Sequence, residues 1–474
     1  MREKKVVSLT RFDNFDKNSS GILAQTFYNY LPSSKLNNSK GVRNAMFPKN
    51  ATNKTEKELE ISSKGITSVG GIAYFKQYHP TNKLTSHRLL IYGDDKKVYI
   101  NQMIDDTWEL FWLYSLEFDS APIIMNFKKD DIDAVILASD EMMKIWQTGY
   151  SPYTISNVPI ITSMCMNESV LFCTIKQPAH KIWYATDLDP ENVGNISKNS
   201  GYVSLEDNLG DAKKVLTFNE DVYVFRDYGI SKISKYYGEY TASQVYLSNT
   251  KIYTNTVCVC GNNILFMTKD GLYSFNGVKV SKTSVELLNS LPLENDGAVA
   301  SSLGEKYYLA LHMDFKDGKE ILCENSCVNN VIIIVDTCDF SYEIIRGVDV
   351  KSMLPVKTDV FEKMLLTFNN GPVGKIGEVV DCSVFMDEML PKFWSCGSVV
   401  DGLNAKLFTR LSVVADEGVK FSIKHDNKTT SFTTYKSGLN EFMFKICCKD
   451  LQLEISSPNK SGVVEKVTLD YYEY

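Results

Sequence analysis

The chain of 474 residues is long enough to bury a large hydrophobic core, and its length favours two to four domains. Its net charge of −7 argues against a general nucleic-acid-binding surface, which requires clustered Lys and Arg. The first residues, MREKKVVSLTRFDNF, have no apolar segment typical of a signal peptide, and no apolar run reaches the length of a membrane span. We therefore expect neither secretion by a leader nor membrane insertion.

The aromatic residues favour a β-rich protein. The 26 Tyr and 24 Phe concentrate in short strand-like runs, where aromatic side chains pack well. The 11 cysteines are odd in number and scattered, which is typical of reduced thiols packed as small apolar side chains. Two close pairs, Cys258 with Cys260 and Cys323 with Cys327, lack a second pair at zinc-finger spacing, so we predict no metal site.

Residues 1–60 are predicted to form an extended N-terminal arm. They are rich in Asn, Ser and Lys and have few consecutive apolar positions, so they can bury little surface by themselves. The short apolar segments Gly21–Leu23 and Met46–Pro48 could dock on a neighbour. A flexible tail is the alternative.

Residues 61–390 repeat one unit, which is clearest in the hairpin NNILFMTKDGLYSFNGVKV at Asn262–Val280. Its apolar run ILFM has no polar alternate position, so both faces of this strand should be covered. Asp270-Gly271 predicts a tight turn, because glycine readily adopts a positive φ. A hairpin of this length is not stable alone, which predicts a small sheet packed between other sheets.

Runs with the same pattern recur along the chain, and they begin at Arg88, Ala134, Ser169, Asp221, Asn263, Lys306 and Met364. The run from Lys306 should pair with a strand from Asn329. The starting points lie roughly 35 to 58 residues apart, which is typical of a β-propeller whose stacked blades bury each other's faces. We therefore predict an all-β protein with a six- or seven-bladed β-propeller over residues 61–390.

Residues 391–474 are predicted to form a C-terminal β-sandwich, with the boundary near Leu390-Pro391. The segment around LFTRLSVVADEGVKFSIKH shows a strong period-2 alternation, at Leu407, Thr409, Leu411 and Val413 and then at Val419, Phe421 and Ile423. Short strands with turns every 8 to 12 residues or so are the pattern of a small sandwich.

No recognisable catalytic motif is present, and we predict that the protein is not an enzyme and has no catalytic, cofactor-binding or metal residues. The five histidines are far apart in sequence, at His79, His87, His180, His312 and His425. Two sets of acidic residues could in principle bind a hard cation, but we interpret both sets as turn residues. The first set is Asp187, Asp189 and Glu191, and the second is Asp314 and Asp317.

Four segments resemble the β-propeller tail proteins of bacteriophages, including the tail nozzle or packaged-DNA stabilisation family of short-tailed phages. The resemblance covers roughly residues 60–390 and consists of hairpin patterns with a few fixed residues. The four segments are KIWYATDLDPENVGN (Lys181–Asn195), LTFNEDVYVFRDYGISKI (Leu216–Ile233), TKDGLYSFNGVKV (Thr268–Val280) and VIIIVDT (Val331–Thr337).

The resemblance implies a non-enzymatic structural protein of a phage tail. It implies a nozzle-like homo-oligomeric ring below the portal and adaptor, which extends the DNA channel and retains packaged DNA until ejection. The implied partners are further copies of the chain, the portal or adaptor and other tail proteins, with phage DNA passing without specific binding. The implied location is the virion, after assembly in the cytoplasm of the host bacterium. No site residue is carried over, because members of the family share no catalytic residues.

Two alternatives remain. The first is a tail-tip or baseplate component that recognises a host-surface glycan, for which exposed Trp108, Trp112 or Trp394 would be the signature. The second is a propeller hydrolase or lyase. In the ring interpretation, loops that face the DNA channel should be acidic or neutral, because a belt of Lys and Arg would hold the DNA and resist its ejection.

Overall fold

The fold is described from a computed structural model, which describes residues 3–9, 11–13, 24–48, 56–59, 61–79, 84–104, 107–129, 132–147, 150–186, 190–289, 294–315, 321, 326–357, 362–400, 404–458 and 462–473. The side chains of residues 48, 79, 84, 86, 102–104, 107, 108 and 129 also lie outside the description. Within these limits the protein is all-β and contains no α-helix. Its short 3-10 segments are Ser62–Lys64, Pro190–Asn192 and Glu286–Leu288.

The N-terminal region contributes short strands rather than a continuous element. These are β1 (Lys4–Leu9), β2 (Ala24–Tyr28), β3 (Tyr30–Pro32), β4 (Leu36–Asn38), β5 (Gly41–Asn44), β6 (Met46–Pro48) and β7 (Glu56–Glu58).

Seven small sheets follow in chain order within the described residues, and we number them sheets 1 to 7; sheets 1 to 6 are antiparallel, and sheet 7 includes one parallel pairing, of β35 with β5. Sheet 1 contains β8 (Val69–His79), β9 (Leu84–Gly93), β10 (Lys97–Ile104) and β11 (Thr107–Glu117). Sheet 2 contains β12 (Ile123–Lys129), β13 (Ile132–Ser139), β14 (Met142–Gln147) and β15 (Tyr153–Ser156). Sheet 3 contains β16 (Ile161–Asn167), β17 (Val170–Ile175), β18 (Lys181–Thr186) and β19 (Ser200–Ser204).

Sheet 4 contains β20 (Ala212–Phe218), β21 (Asp221–Arg226), β22 (Gly229–Tyr236) and β23 (Glu239–Leu247). Sheet 5 contains β24 (Ile252–Cys260), β25 (Asn263–Thr268), β26 (Gly271–Phe275) and β27 (Val280–Lys282). Sheet 6 contains β28 (Val299–Leu303), β29 (Lys306–Leu311), β30 (Val331–Asp336) and β31 (Tyr342–Arg346). Sheet 7 contains β32 (Val350–Lys357), β33 (Glu362–Phe368), β34 (Gly377–Val380), β35 (Val384–Phe385) and β36 (Glu388–Met389).

The strands of sheets 1 to 6 pair in simple sequential order, and the first strand of each sheet lies against the first strand of the next. The succession returns on itself, because β32 of sheet 7 also contacts β8 of sheet 1. Each hairpin predicted from the sequence forms the second and third strands of a separate sheet. In sheet 7, the N-terminal strand β5 is inserted between β34 and β35.

The hairpin of β25 and β26 explains why its central strand is apolar throughout. Leu265 and Met267 pack into the core shared with sheet 6, whereas Ile264 and Phe266 pack into the core shared with sheet 4. Both faces of the sheet are therefore removed from water. Gly271 closes the turn at a φ of +138°, a conformation that disfavours other residues.

The contact between sheets 7 and 1 has its own hydrophobic core, which the N-terminal region completes. Phe47 of β6 and Ile61 pack there with Leu89 and Ile91 of sheet 1 and Leu365 of sheet 7. Backbone hydrogen bonds reinforce the contact: the amide of Ala45 donates to the carbonyl of Ile376, and that of Gly374 donates to the carbonyl of Thr67, both at 2.8 Å.

The C-terminal region forms two facing sheets, which we name sheet A and sheet B. Their remaining strands are β37 (Lys392–Ser398), β38 (Lys406–Ala415), β39 (Lys420–His425), β40 (Lys428–Thr433), β41 (Gly438–Cys448), β42 (Gln452–Ser457) and β43 (Val464–Glu473). Sheet A has the order β3-β4-β43-β38-β41 with β1 also paired to β43, and sheet B has the order β2-β37-β42-β39-β40.

The N-terminal region is paired into several other sheets of the fold. Strands β1 to β4 belong to sheets A and B, and β5 belongs to sheet 7. Within the described residues, the segment is ordered by backbone pairing to strands more than 300 positions away, which its local composition does not reveal. Trp394 shows the result, since its indole Nε1 donates to the carbonyl of Phe12 at 3.0 Å in a fully buried core.

Asn29 joins the N-terminal region to sheet 6 and to the start of the C-terminal region. It is fully buried and has a φ of +57°, which asparagine tolerates better than most residues. Its side-chain oxygen accepts from the amide of Arg346 at 2.9 Å, while its Nδ2 donates to the carbonyls of Arg346 at 3.2 Å and Pro391 at 2.7 Å.

We expect Asn29→Ala to lower the free energy of unfolding by about 2–4 kcal/mol, because it leaves buried backbone groups unpaired and places alanine at a positive φ. Urea denaturation of both proteins measures the difference. Asn29→Gly is the matched control. Glycine tolerates the positive φ but, like alanine, cannot make the side-chain hydrogen bonds, so the free energy of unfolding should fall by a smaller but clear amount. A loss below about 0.5 kcal/mol in both variants would contradict this role for the side chain.

Candidate functional site

The cysteine pairs singled out from the sequence do not form a metal centre in the described part of the chain. Cys258 and Cys260 lie on β24, and burial raises the pKa of both thiols, that of Cys260 to about 11. Cys327 is half-buried, and Cys323 lies outside the described residues. Among the residues that the structure describes, no group of three or more His, Cys, Asp or Glu could hold a metal ion.

The histidines do not converge on one site: His79 and His87 lie on neighbouring strands of sheet 1, His425 lies on β39, and His180 and His312 lie in loops. His87 of β9 hydrogen-bonds the Tyr74 hydroxyl and stacks on that ring at 6.0 Å. The ring of His312 lies 3.1 Å from the carbonyl of Cys327, and Nδ1 of His425 lies 3.7 Å from a carboxylate oxygen of Asp426. The remaining two are His180, which is exposed in a loop, and His79, whose side chain is outside the description.

The predicted turn carboxylates can be placed only in part. Glu191 lies in the 3-10 segment Pro190–Asn192, and Asp314 is exposed beyond β29. Asp187, Asp189 and Asp317 lie outside the described residues.

The tryptophans proposed for glycan binding have different environments. Trp394 is a core residue and is excluded as a surface platform. Trp112 is partly exposed, with the Lys97 amine 4.7 Å from the centre of its ring. The side chain of Trp108 lies outside the description.

The first strands of sheets 1 to 7 form the inner edge of the succession and carry an unexpected charge bias. Their charged residues are all lysines, in a chain that is acidic overall, and no Asp or Glu occurs in these seven strands. The lysines are Lys76, Lys128, Lys129, Lys213, Lys214, Lys351 and Lys357. The sequence does contain this signal, but it becomes visible only once the first strand of each unit is known.

Lys214 is the enclosed member of this set. Burial lowers the pKa of its amine. The titratable groups that interact with this amine are the thiols of Cys258 on β24 and Cys165 on β16. Burial also raises the pKa of Cys165 to about 12, so both thiols are neutral near pH 7. The adjacent Lys213 differs, because it pairs with Asp211 at 2.7 Å.

Side-chain hydrogen bonds join neighbouring first strands around Lys214. The Thr217 hydroxyl of β20 donates to the carbonyl of Met166 on β16 at 2.7 Å. The amide of Val215 donates to the Ser163 hydroxyl at 3.2 Å, and the Ser302 hydroxyl of β28 donates to the carbonyl of Val259 at 2.5 Å. These bonds make the inner edge a rigid scaffold. Within the described residues, this arrangement places an enclosed amine beside neutral thiols, with no nucleophile aligned with a base.

An acidic cleft of about 560 Å³ lies between the N-terminal region and sheet 6. Asp13, Asp336, Asp339 and Glu343 line it, with Lys306 as the basic group among the lining residues. Burial raises the pKa of Glu343, whose Oε2 accepts the amide of Lys40 at 3.1 Å. The cleft is open, and its lining is mixed, because apolar and aromatic side chains lie beside these carboxylates: Leu31, Pro32, Ile334, Phe340 and Tyr342.

The hairpin of β22 and β23 presents an exposed aromatic pair. Tyr236 and Tyr237 stack edge to face at 4.5 Å, and Tyr237 is 92% exposed. Positive φ angles at Tyr237 and Gly238 form the tight turn that projects both rings. This feature is absent from the expectations above, although two aromatic residues directly before a turn glycine are a recognisable signal in the sequence.

Comparisons with known proteins give little guidance to function. No family model and no curated protein matches the chain. Among solved structures, the chain is similar to the extracellular domain of a hybrid two-component system from B. thetaiotaomicron, with 10% identity and a TM-score of 0.43. The match covers 89% of this chain and 58% of that one, so this chain spans less than two thirds of its neighbour. Within the described residues, no helix has the length and hydrophobicity to cross a bilayer.

We expect Lys214→Met to raise the free energy of unfolding near pH 7, since it removes an amine that is costly to bury in its charged form. The folded-state pKa lies below the ordinary 10.5, so the unfolded chain holds more protons between these two values. Stability of the wild type should therefore rise with pH across that window, and the advantage of the variant should shrink.

Chemical denaturation of both proteins at several pH values from 7 to 10 or so measures this difference. Lys213→Met is the control, because that amine has a carboxylate partner and should show no stabilisation. An advantage of Lys214→Met that stays constant with pH would contradict the predicted titration.

Proposed function

We propose that this protein is a non-enzymatic structural component of a bacteriophage tail, a nozzle-like ring of identical chains. In this proposal sheets 1 to 7 are the blades of a seven-bladed β-propeller, and sheets A and B form an appended β-sandwich. The observation that carries the proposal is the succession of small sheets whose first strands adjoin and whose seventh member contacts the first.

The segments that resemble phage tail proteins support this interpretation by their positions. Lys181–Asn195 covers β18 and the 3-10 segment after it, and Leu216–Ile233 runs from β20 into β22. Thr268–Val280 covers β26, and Val331–Thr337 contains β30. All four therefore fall on repeating strands of sheets 3 to 6, where a family resemblance in hairpin pattern should lie.

The rigid architecture fits a load-bearing role. Each sheet is buried on both faces, and adjacent first strands are joined by side-chain hydrogen bonds. Such a body can serve as one segment of a ring that joins the portal or adaptor to the remaining tail proteins. DNA would pass through the channel between copies, so the lysines of the first strands of one chain do not determine the charge of that channel.

A second candidate is a tail-tip or baseplate component that contacts the host surface. The exposed pair of Tyr236 and Tyr237 favours it, because protruding aromatic rings are common contacts for glycans and for protein partners.

Native mass spectrometry and electron microscopy of the purified chain should reveal a closed ring of identical copies with a central channel. The surface that faces the channel should be acidic or neutral, because DNA must slide past it during ejection. A continuous belt of Lys and Arg around the channel would contradict the nozzle interpretation.

Binding of the isolated chain to host cells separates the two candidates. If the protein contacts the host surface, wild-type protein should bind cells and the Tyr236→Ala/Tyr237→Ala variant should lose at least about tenfold in affinity. A nozzle should bind host cells no better than an unrelated protein, and the double variant should then assemble normally.

A further inference from the structure

Three strands of sheet A have outer sides that pair with no strand among the described residues: the three-residue β3, β1 and β41. Strand β41 ends one side of the sheet and has eleven residues. Strand β1 ends the other side, beyond β43. A long unpaired edge presents a row of free backbone donors and acceptors, which favours pairing with another strand.

The two edges have matching strand directions. Strand β1 is antiparallel to β43, β43 is antiparallel to β38, and β38 is antiparallel to β41. Strand β1 therefore runs antiparallel to β41. If β1 of one copy lies beside β41 of another, the antiparallel pattern of sheet A continues without interruption.

The outer face of sheet A places exposed apolar side chains at these same edges. One row across the sheet runs Val6, Asp470, Arg410 and Met443, as the strand registers show. The central residues of this row pair with each other at 2.7 Å, whereas Val6 and Met443 at its two ends are 58% and 74% exposed. Leu439, also at the β41 edge, is 54% exposed.

Charge complementarity indicates how the edges would align. Strand β1 carries Lys4 on the outer face, and β41 carries Glu441 on that face. In an antiparallel pair, the register that sets Lys4 opposite Glu441 also sets Val6 opposite Leu439. Opposite charges and apolar side chains then meet across the new contact, and both pairings are favourable.

We infer that copies of this chain associate head to tail through sheet A, with β41 of one copy paired to β1 of the next. This inference rests on the proposed ring for its biological setting, but the edge contact can be tested separately. The two surfaces are different parts of the same chain, so the interface is heterologous. It generates a ring if the rotation between copies closes and a filament if it does not.

Two edge variants and a matched control test the inference in the full chain. The β41 variant is Leu439→Lys/Met443→Lys, and the β1 variant is Val6→Lys. The control is Val278→Lys/Val373→Lys, which changes exposed valines in turns of sheets 5 and 7; Val278 is 86% exposed. Thermal unfolding should show that all variants are folded, since every substituted side chain lies at the surface.

Native mass spectrometry and sedimentation should show that wild type and control form the same oligomer, and that each edge variant dissociates at least about tenfold more readily. An equimolar mixture of the two edge variants should yield a 1:1 heterodimer and nothing larger. Each pair then retains one intact β41 edge and one intact β1 edge, which suffice for a single contact.

A wild-type monomer at all soluble concentrations, or oligomers that persist unchanged in both edge variants, would overturn the inference. Rings that persist in the edge variants would leave the proposed function standing without this interface. Filaments or open oligomers that depend on the same residues would support the interface and contradict the proposed ring.

Discussion

The structure depends on the N-terminal region, whose strands are bound to both sandwich sheets and to sheets 6 and 7. Strand β1 pairs with β43 at the far end of the chain, and β5 is inserted into sheet 7. Between them, Asn29 binds backbone groups of both sheet 6 and the start of β37. Because these contacts join distant segments, the seven sheets and the sandwich are connected by strand pairing as well as by chain connectivity.

Burial on both faces is the constraint that makes each small sheet stable. A hairpin such as β25–β26 cannot exclude water from either side alone, so its apolar residues are satisfied only between neighbouring sheets. Where a buried contact between sheets includes a charged side chain, specific interactions stabilise it instead. The buried guanidinium of Arg346 lies 4.5 Å from the ring of Tyr28 and 4.1 Å from that of Phe315, which joins sheet 6 to the sandwich through cation–π contacts.

Charge is distributed unevenly in this acidic protein. The first strands carry lysines without carboxylates, whereas the cleft beside sheet 6 is acidic. Burial lowers the pKa of Lys214 and raises the pKa of the thiols beside it, which favours the neutral form of each group. The inner edge is therefore less reactive than its residue types suggest. This pattern suits a structural scaffold, in which enclosed polar groups organise strands.

The sequence by itself determined the local elements. Alternation and turn chemistry located the hairpin in each of the seven sheets, since the apolar run of β25 and the glycine after Asp270 encode their own strand and turn. Tertiary structure decided everything that depends on distant pairing: the positions of β1 to β5, the burial of Trp394 behind Phe12, and the assembly of Lys214 with two thiols. Composition had suggested an arm for residues 1–60, because a polar segment reveals no partner until the complementary strand edges exist.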